Sequence, residues 1–177
     1  SFAVANGRVY TTGNANKQDT VFCFDASTGA EVWKFSYNAP LDDKYYQGGT
    51  SATPTVDGDR VYTFSKRGVV HCFDAAKGTV IWSKNLAEEL KAAFPEWYFA
   101  SSVLIEGDLA LLNVGSAGAA LDKKTGKVVW SSGPDAAGYS TPVPFNTGGD
   151  RAVMFAIKQD VIALKVKDGA ELWRFPW

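Results

Sequence analysis

Carboxylates, one histidine and two thiols are the side chains of this 177-residue chain that could do chemistry. Residues 120–130 read A-L-D-K-K-T-G-K-V-V-W, which places Asp122, Gly126 and Trp130 at fixed offsets, as a small active-site motif would. Asp42-Asp43 and Glu88-Glu89 are adjacent acidic pairs of the kind that can touch a cation. Calcium, however, takes about six to eight oxygen ligands, and no local run of acids and amides offers them, so solvated loops are the plainer reading. There is no Gly-x-Ser-x-Gly elbow, no glycine loop shaped for phosphate and no metal-ligand spacing.

Whether the Asp–Gly–Trp stretch is chemistry or architecture is decided by repetition. Asp25, Gly29 and Trp33 stand in the same order, as do Asp74, Gly78 and Trp82, and a weaker copy has Lys165, Gly169 and Trp173. The tryptophan always falls four residues after the glycine, and successive tryptophans are 49, 48 and 43 residues apart. Self-similarity at this period indicates stacked supersecondary units, propeller blades among them. The stretch is a structural repeat.

The elements that must carry it are read most easily in the second copy. Thr50–Asp57, Arg60–Ser65, Val69–Asp74 and Thr79–Lys84 are short runs rich in β-branched and aromatic residues, separated by glycine-bearing turns. They predict an antiparallel meander of four strands. The turn glycines suit positive φ, and the aspartate that opens the third turn can accept from backbone N–H groups just beyond it. Helical patterning is confined to Ala87–Phe94, where two turns are expected before Pro95. A sheet of this size cannot bury both faces alone, and stacking sheets around an axis solves the problem. The expected fold is therefore all-β: a β-propeller of four-stranded antiparallel blades, four in this chain, at about 1–37, 48–86, 97–132 and 138–177. Each tryptophan is expected to dock on a neighbouring blade, contributing on the order of 2–3 kcal/mol. A β-sandwich does not predict one tryptophan at the same place in every unit.

Composition narrows the function classes. Hydrophobic residues make up 46% of the chain and the formal net charge is −1, with acids and bases mixed throughout. No basic stripe suggests nucleic acid, and no apolar run suggests membrane insertion. Cys23 and Cys72 hold one position in consecutive repeats, and they read as small buried hydrophobes too far apart for a disulfide. His71 stands where Phe22 stands one repeat earlier, which is the place of a core or edge residue rather than a general base.

The pattern Ala-x-Asp-x-x-Thr-Gly-Lys-x-x-Trp, complete from Ala120 to Trp130, resembles the tryptophan-docking motif of quinoprotein-like propellers with PQQ-like repeats. That superfamily includes dehydrogenases dependent on pyrroloquinoline quinone (PQQ) and non-enzymatic members similar to the barrel-assembly lipoprotein of bacterial outer membranes. The enzymatic branch implies a vicinal Cys-Cys pair, a calcium site and an aspartate base, and a vicinal pair is impossible here. The resemblance thus implies a non-catalytic scaffold without a cofactor, extracytoplasmic, which contacts a protein or ligand. The alternative is part of a quinoprotein oxidoreductase whose catalytic residues lie outside these 177.

A contact surface is expected on the links between blades, which carry Tyr45 and Tyr46, then Phe94, Trp97 and Tyr98, and then Tyr139. These aromatic residues either plug gaps between blades or face a partner. Members of the resembled family usually have seven or eight blades. The chain is accordingly read as half of an eight-bladed ring, closed by a second copy as a homodimer, or as a portion of a longer chain.

Overall fold

Glycine-bearing turns fold the chain back on itself at short intervals, and the strands between them pair with their sequence neighbours. The computed structural model describes residues 1–41 and 49–177. The first sheet comprises β1 (Phe2–Ala5), β2 (Arg8–Ala15), β3 (Gln18–Asp25) and β4 (Glu31–Asn38). The second has β5 (Thr55–Asp57), β6 (Arg60–Phe64), β7 (Val69–Asp74) and β8 (Val80–Asn85). The third has β9 (Leu104–Glu106), β10 (Leu109–Leu112), β11 (Ala119–Asp122) and β12 (Val128–Ser131). The fourth has β13 (Val143–Thr147), β14 (Asp150–Ala156), β15 (Asp160–Lys165) and β16 (Glu171–Pro176). Every sheet is antiparallel and ordered as the chain runs. Among the described residues the chain is all-β apart from one helical turn, with four propeller blades.

Two expectations from the sequence need correction. The innermost strand of the second blade spans only Thr55–Asp57, not the whole run from Thr50. Pro54 has no N–H for a ladder, and the small residues before it bond across to the next blade instead. Thr53 N–H donates to Ser102 Oγ and Ser102 N–H to Thr141 Oγ1, each at 3.0 Å. The helix, α1 (Leu86–Glu89), is one turn rather than two. Asn85 caps its start, and Lys91 at φ 51° ends it, because that backbone conformation cannot continue a right-handed helix.

The blades stack through three apolar layers. Tyr10, Val21, Cys23 and Trp33 of the first blade meet Val61, Phe73 and Ala75 of the second. Tyr62, Cys72 and Trp82 meet Ala110, Leu112 and Leu121 of the third. Leu111, Ala120 and Trp130 meet Val153, Phe155 and Leu164 of the fourth. Strand alternation makes this possible, since successive side chains serve opposite neighbours. The meander also sorts the loops. The links between blades share one end with the β2–β3, β6–β7, β10–β11 and β14–β15 turns, while the glycine turns of the repeat lie at the other. Among the described residues no helix is long and apolar enough to cross a membrane.

Candidate functional site

At the glycine-turn end, each repeat residue has a structural partner. Asp25 Oδ1 accepts from Ser27 N–H, Thr28 N–H and the Thr28 hydroxyl, all at 3.0 Å. Asp122 does the same with Lys124, Thr125 and the Thr125 hydroxyl, and Asp74 with the backbone of Ala76 and Lys77. The threonine hydroxyl, then the backbone donors, hold Asp25 and Asp122 below the usual carboxylate range. An acceptor satisfied in this way is a turn clamp and a poor base. Where Lys165 replaces the aspartate, the backbone keeps the turn: Gly169 N–H still reaches Lys165 O and Lys165 N–H still reaches Ala170 O.

The tryptophans reach from one blade to the next. Trp33 Nε1–H donates to Ala75 O at 2.9 Å, Trp82 to Lys123 O at 3.1 Å and Trp130 to Val166 O at 2.9 Å. Each indole lies on the turn glycine of the following blade. A Cβ on Gly78 would fall 2.5 Å from the Trp33 ring, one on Gly126 2.7 Å from Trp82, and one on Gly169 2.8 Å from Trp130. Across its own ladder each tryptophan faces a small residue, Cys23, Cys72, Ala120 or Ala163, beside a bulge. Both cysteines are free and buried, and burial raises their thiol pKa values. They are spacers beneath indoles.

The opposite end holds the candidate contact site. Trp97 and Tyr139, from two different blade links, meet where Trp97 N–H donates to Tyr139 Oη at 3.3 Å. Both line a concavity of about 730 Å³, together with Phe94, Lys158 and Trp177. Its floor depends on Gly138, where a Cβ would run into the Ala156 carbonyl. Phe94, Tyr139 and Trp177 are exposed. Tyr98 is placed elsewhere, packed on Phe94 with the Arg67 guanidinium 4.7 Å from its ring centroid. Tyr45, Tyr46 and the Asp42-Asp43 pair lie outside the described residues. Lys158 and Trp177 were not among the residues expected from sequence. Lys158 stands on the β14–β15 turn, and only folding brings it to the blade links.

Among the described residues no three His, Cys, Asp or Glu side chains converge as a metal site. The thiols lie beneath different indoles, Cys23 opposite Trp33 and Cys72 opposite Trp82. His71 is buried among Phe35, Tyr37 and Phe73, and burial lowers its pKa to about 4. It serves as one more ring in an aromatic layer.

Comparison with solved structures finds the same architecture. BamB from Moraxella catarrhalis superposes with a TM-score of 0.70 at 19% identity, covering 99% of this chain and 48% of that one. A europium-containing methanol dehydrogenase gives 0.76 at 16% identity, over 100% of this chain and 41% of that one. Quinohemoprotein alcohol dehydrogenase from Comamonas testosteroni gives 0.73 at 15% identity, over 99% and 34%. The chain thus spans half or less of the length of the proteins it resembles. No curated protein sequence matches it. Residues 17–176 match the family described as outer membrane protein assembly factor BamB. The chain belongs to that family of PQQ-like repeat propellers.

Proposed function

We propose that the chain is a non-catalytic propeller scaffold, extracytoplasmic, whose blade-link end contacts a protein. One observation carries this reading: Trp97 and Tyr139, 42 residues apart, converge on an exposed aromatic concavity that Lys158 also lines. Aromatic side chains that keep a polar handle are enriched at binding hot spots. The name of the matching family points to components of outer membrane protein assembly as the partners to try first. A second copy of the chain is a further partner, at a different surface.

The test is Trp97→Ala and Tyr139→Ala, with retention of purified outer-membrane assembly proteins measured beside the thermal midpoint. A contact surface predicts binding weakened about tenfold or more by either variant and a midpoint that holds. A midpoint that falls while binding persists would make these residues plugs between blades. The likeness to methanol dehydrogenase sustains a second reading, a portion of a quinoprotein oxidoreductase completed by residues outside this chain.

A further inference from the structure

Two walls of the blade-link concavity are tied to one side chain that neither of them carries. Gly138, Tyr139 and Ser140 form one wall, on the link between the third and fourth blades, and Ala156, Ile157 and Lys158 form another, at the end of β14. Asn113, just past β10 and fully buried, donates from Nδ2 to Ser140 O at 3.0 Å and to Ala156 O at 3.1 Å. The Ala156 carbonyl is a meeting point, since Gly138 lies so close that a Cβ would collide with it, and the Ser140 hydroxyl stands 3.5 Å away. Little else fixes the path of the link. Residues 136–141 make no backbone–backbone hydrogen bond among the described residues. Thr141 Oγ1 accepts from Ser102 N–H and Tyr139 Oη from Trp97 N–H, so these contacts are made through link side chains.

A different solution serves the same position of the blade before. Leu111 pairs with Ala120 as Tyr62 pairs with Cys72, so Asn113 stands where Phe64 stands in the second blade. Phe64 fills its place with a ring 5.1 Å from that of Phe99. Such apolar contact has no direction, whereas an amide bonded to two particular carbonyls fixes where each of them lies. Burying an amide also costs more than burying a ring unless its hydrogen bonds are made. Asn113 Oδ1 receives no donor among the described residues, so the two N–H bonds are what this amide contributes. We propose that Asn113 is the positioning residue of the blade-link site: it touches no partner, and it holds Tyr139 and Lys158 in the places from which they do. This role rests on the contact reading above and deepens it.

Asn113→Asp keeps the shape and replaces both donors by acceptors, and Asn113→Ala removes them without adding charge. Should the buried carboxylate prevent folding, Asn113→Ala carries the test alone. Leu111→Ala is the control, since it opens a cavity in the same apolar layer and leaves both N–H bonds in place. The Trp97 amide reports on the free protein, because its bond to Tyr139 Oη is made only while the link holds its path. Either Asn113 variant should speed hydrogen exchange at that amide, relative to those of β6 and β7, by about tenfold or more. Retention of purified outer-membrane assembly proteins should weaken by about tenfold or more. Leu111→Ala should lower the urea midpoint and leave both readouts near native. Unchanged exchange at Trp97 overturns the proposal, as does acceleration that Leu111→Ala reproduces. Accelerated exchange with native retention overturns it too, because the path would then not matter for the contact. A native chain that retains no assembly protein would defeat the contact reading instead, and the Trp97 amide would still decide whether Asn113 sets the path.

Discussion

His71 lies under the rings of Phe35, Tyr37 and Phe73, 4.7–5.5 Å between centroids, in the place that Phe22 holds one blade earlier. Burial disfavours the imidazolium and lowers the pKa to about 4 from 6.5. The unfolded chain therefore takes up a proton between pH 6.5 and 4 that the native chain refuses, and stability falls as pH falls through that window. Above pH 6.5 both states are neutral and the group contributes nothing. Below pH 4 the accumulated loss is on the order of 3 kcal/mol. Urea unfolding at several pH values should show this component in the native chain. In His71→Phe, which restores the ring of the neighbouring repeat, it should be gone. Equal pH dependence in both proteins would remove His71 as its source.

The glycine turn is the unit of the repeat at the scale of elements, and it answers two demands at once. Its φ near 70° suits glycine, and its missing side chain leaves a flat seat for the indole of the preceding blade. The two demands separate experimentally, because a Cβ on Gly29 would meet nothing within 4 Å and so answers only to the first. Gly29→Ala should cost about 1 kcal/mol. Gly126→Ala places a methyl 2.7 Å from the Trp82 ring as well, and should cost about 2 kcal/mol more. Equal losses would mean that the indole adapts freely. The ladder beside the turn is equally economical, since a cysteine or alanine opposite each tryptophan leaves room for the ring to lie down.

Among the described residues the apolar layers join each blade to its neighbours in the stack, so stability is expected to be distributed as in a one-dimensional array. The second and third blades are covered on both faces, while the first and fourth are covered on one. Hydrogen exchange on dilute protein should show strongest protection in β6, β7, β10 and β11 and earliest opening in β1 and β16. Uniform protection across the four blades would contradict such a stack.

The propeller was legible because its signals are local and recur. A turn's φ, a strand's alternation and a tryptophan four residues past a glycine are properties of a dozen consecutive residues, so their period alone determined the blade. Trp97 and Tyr139 could be suspected as link aromatics from sequence. Their meeting at one concavity with Lys158 depends on packing between blades, which no local pattern encodes. The same holds for the second role of Gly78, Gly126 and Gly169, whose indole partners come from the preceding repeat. It holds also for Thr53 and Ser102, which read as an inner strand but spend their hydrogen bonds on the next blade. What the sequence determined by itself is the unit. Only the tertiary structure decided that the indole of one repeat lies on the turn glycine of the next, because burial is a property of neighbours.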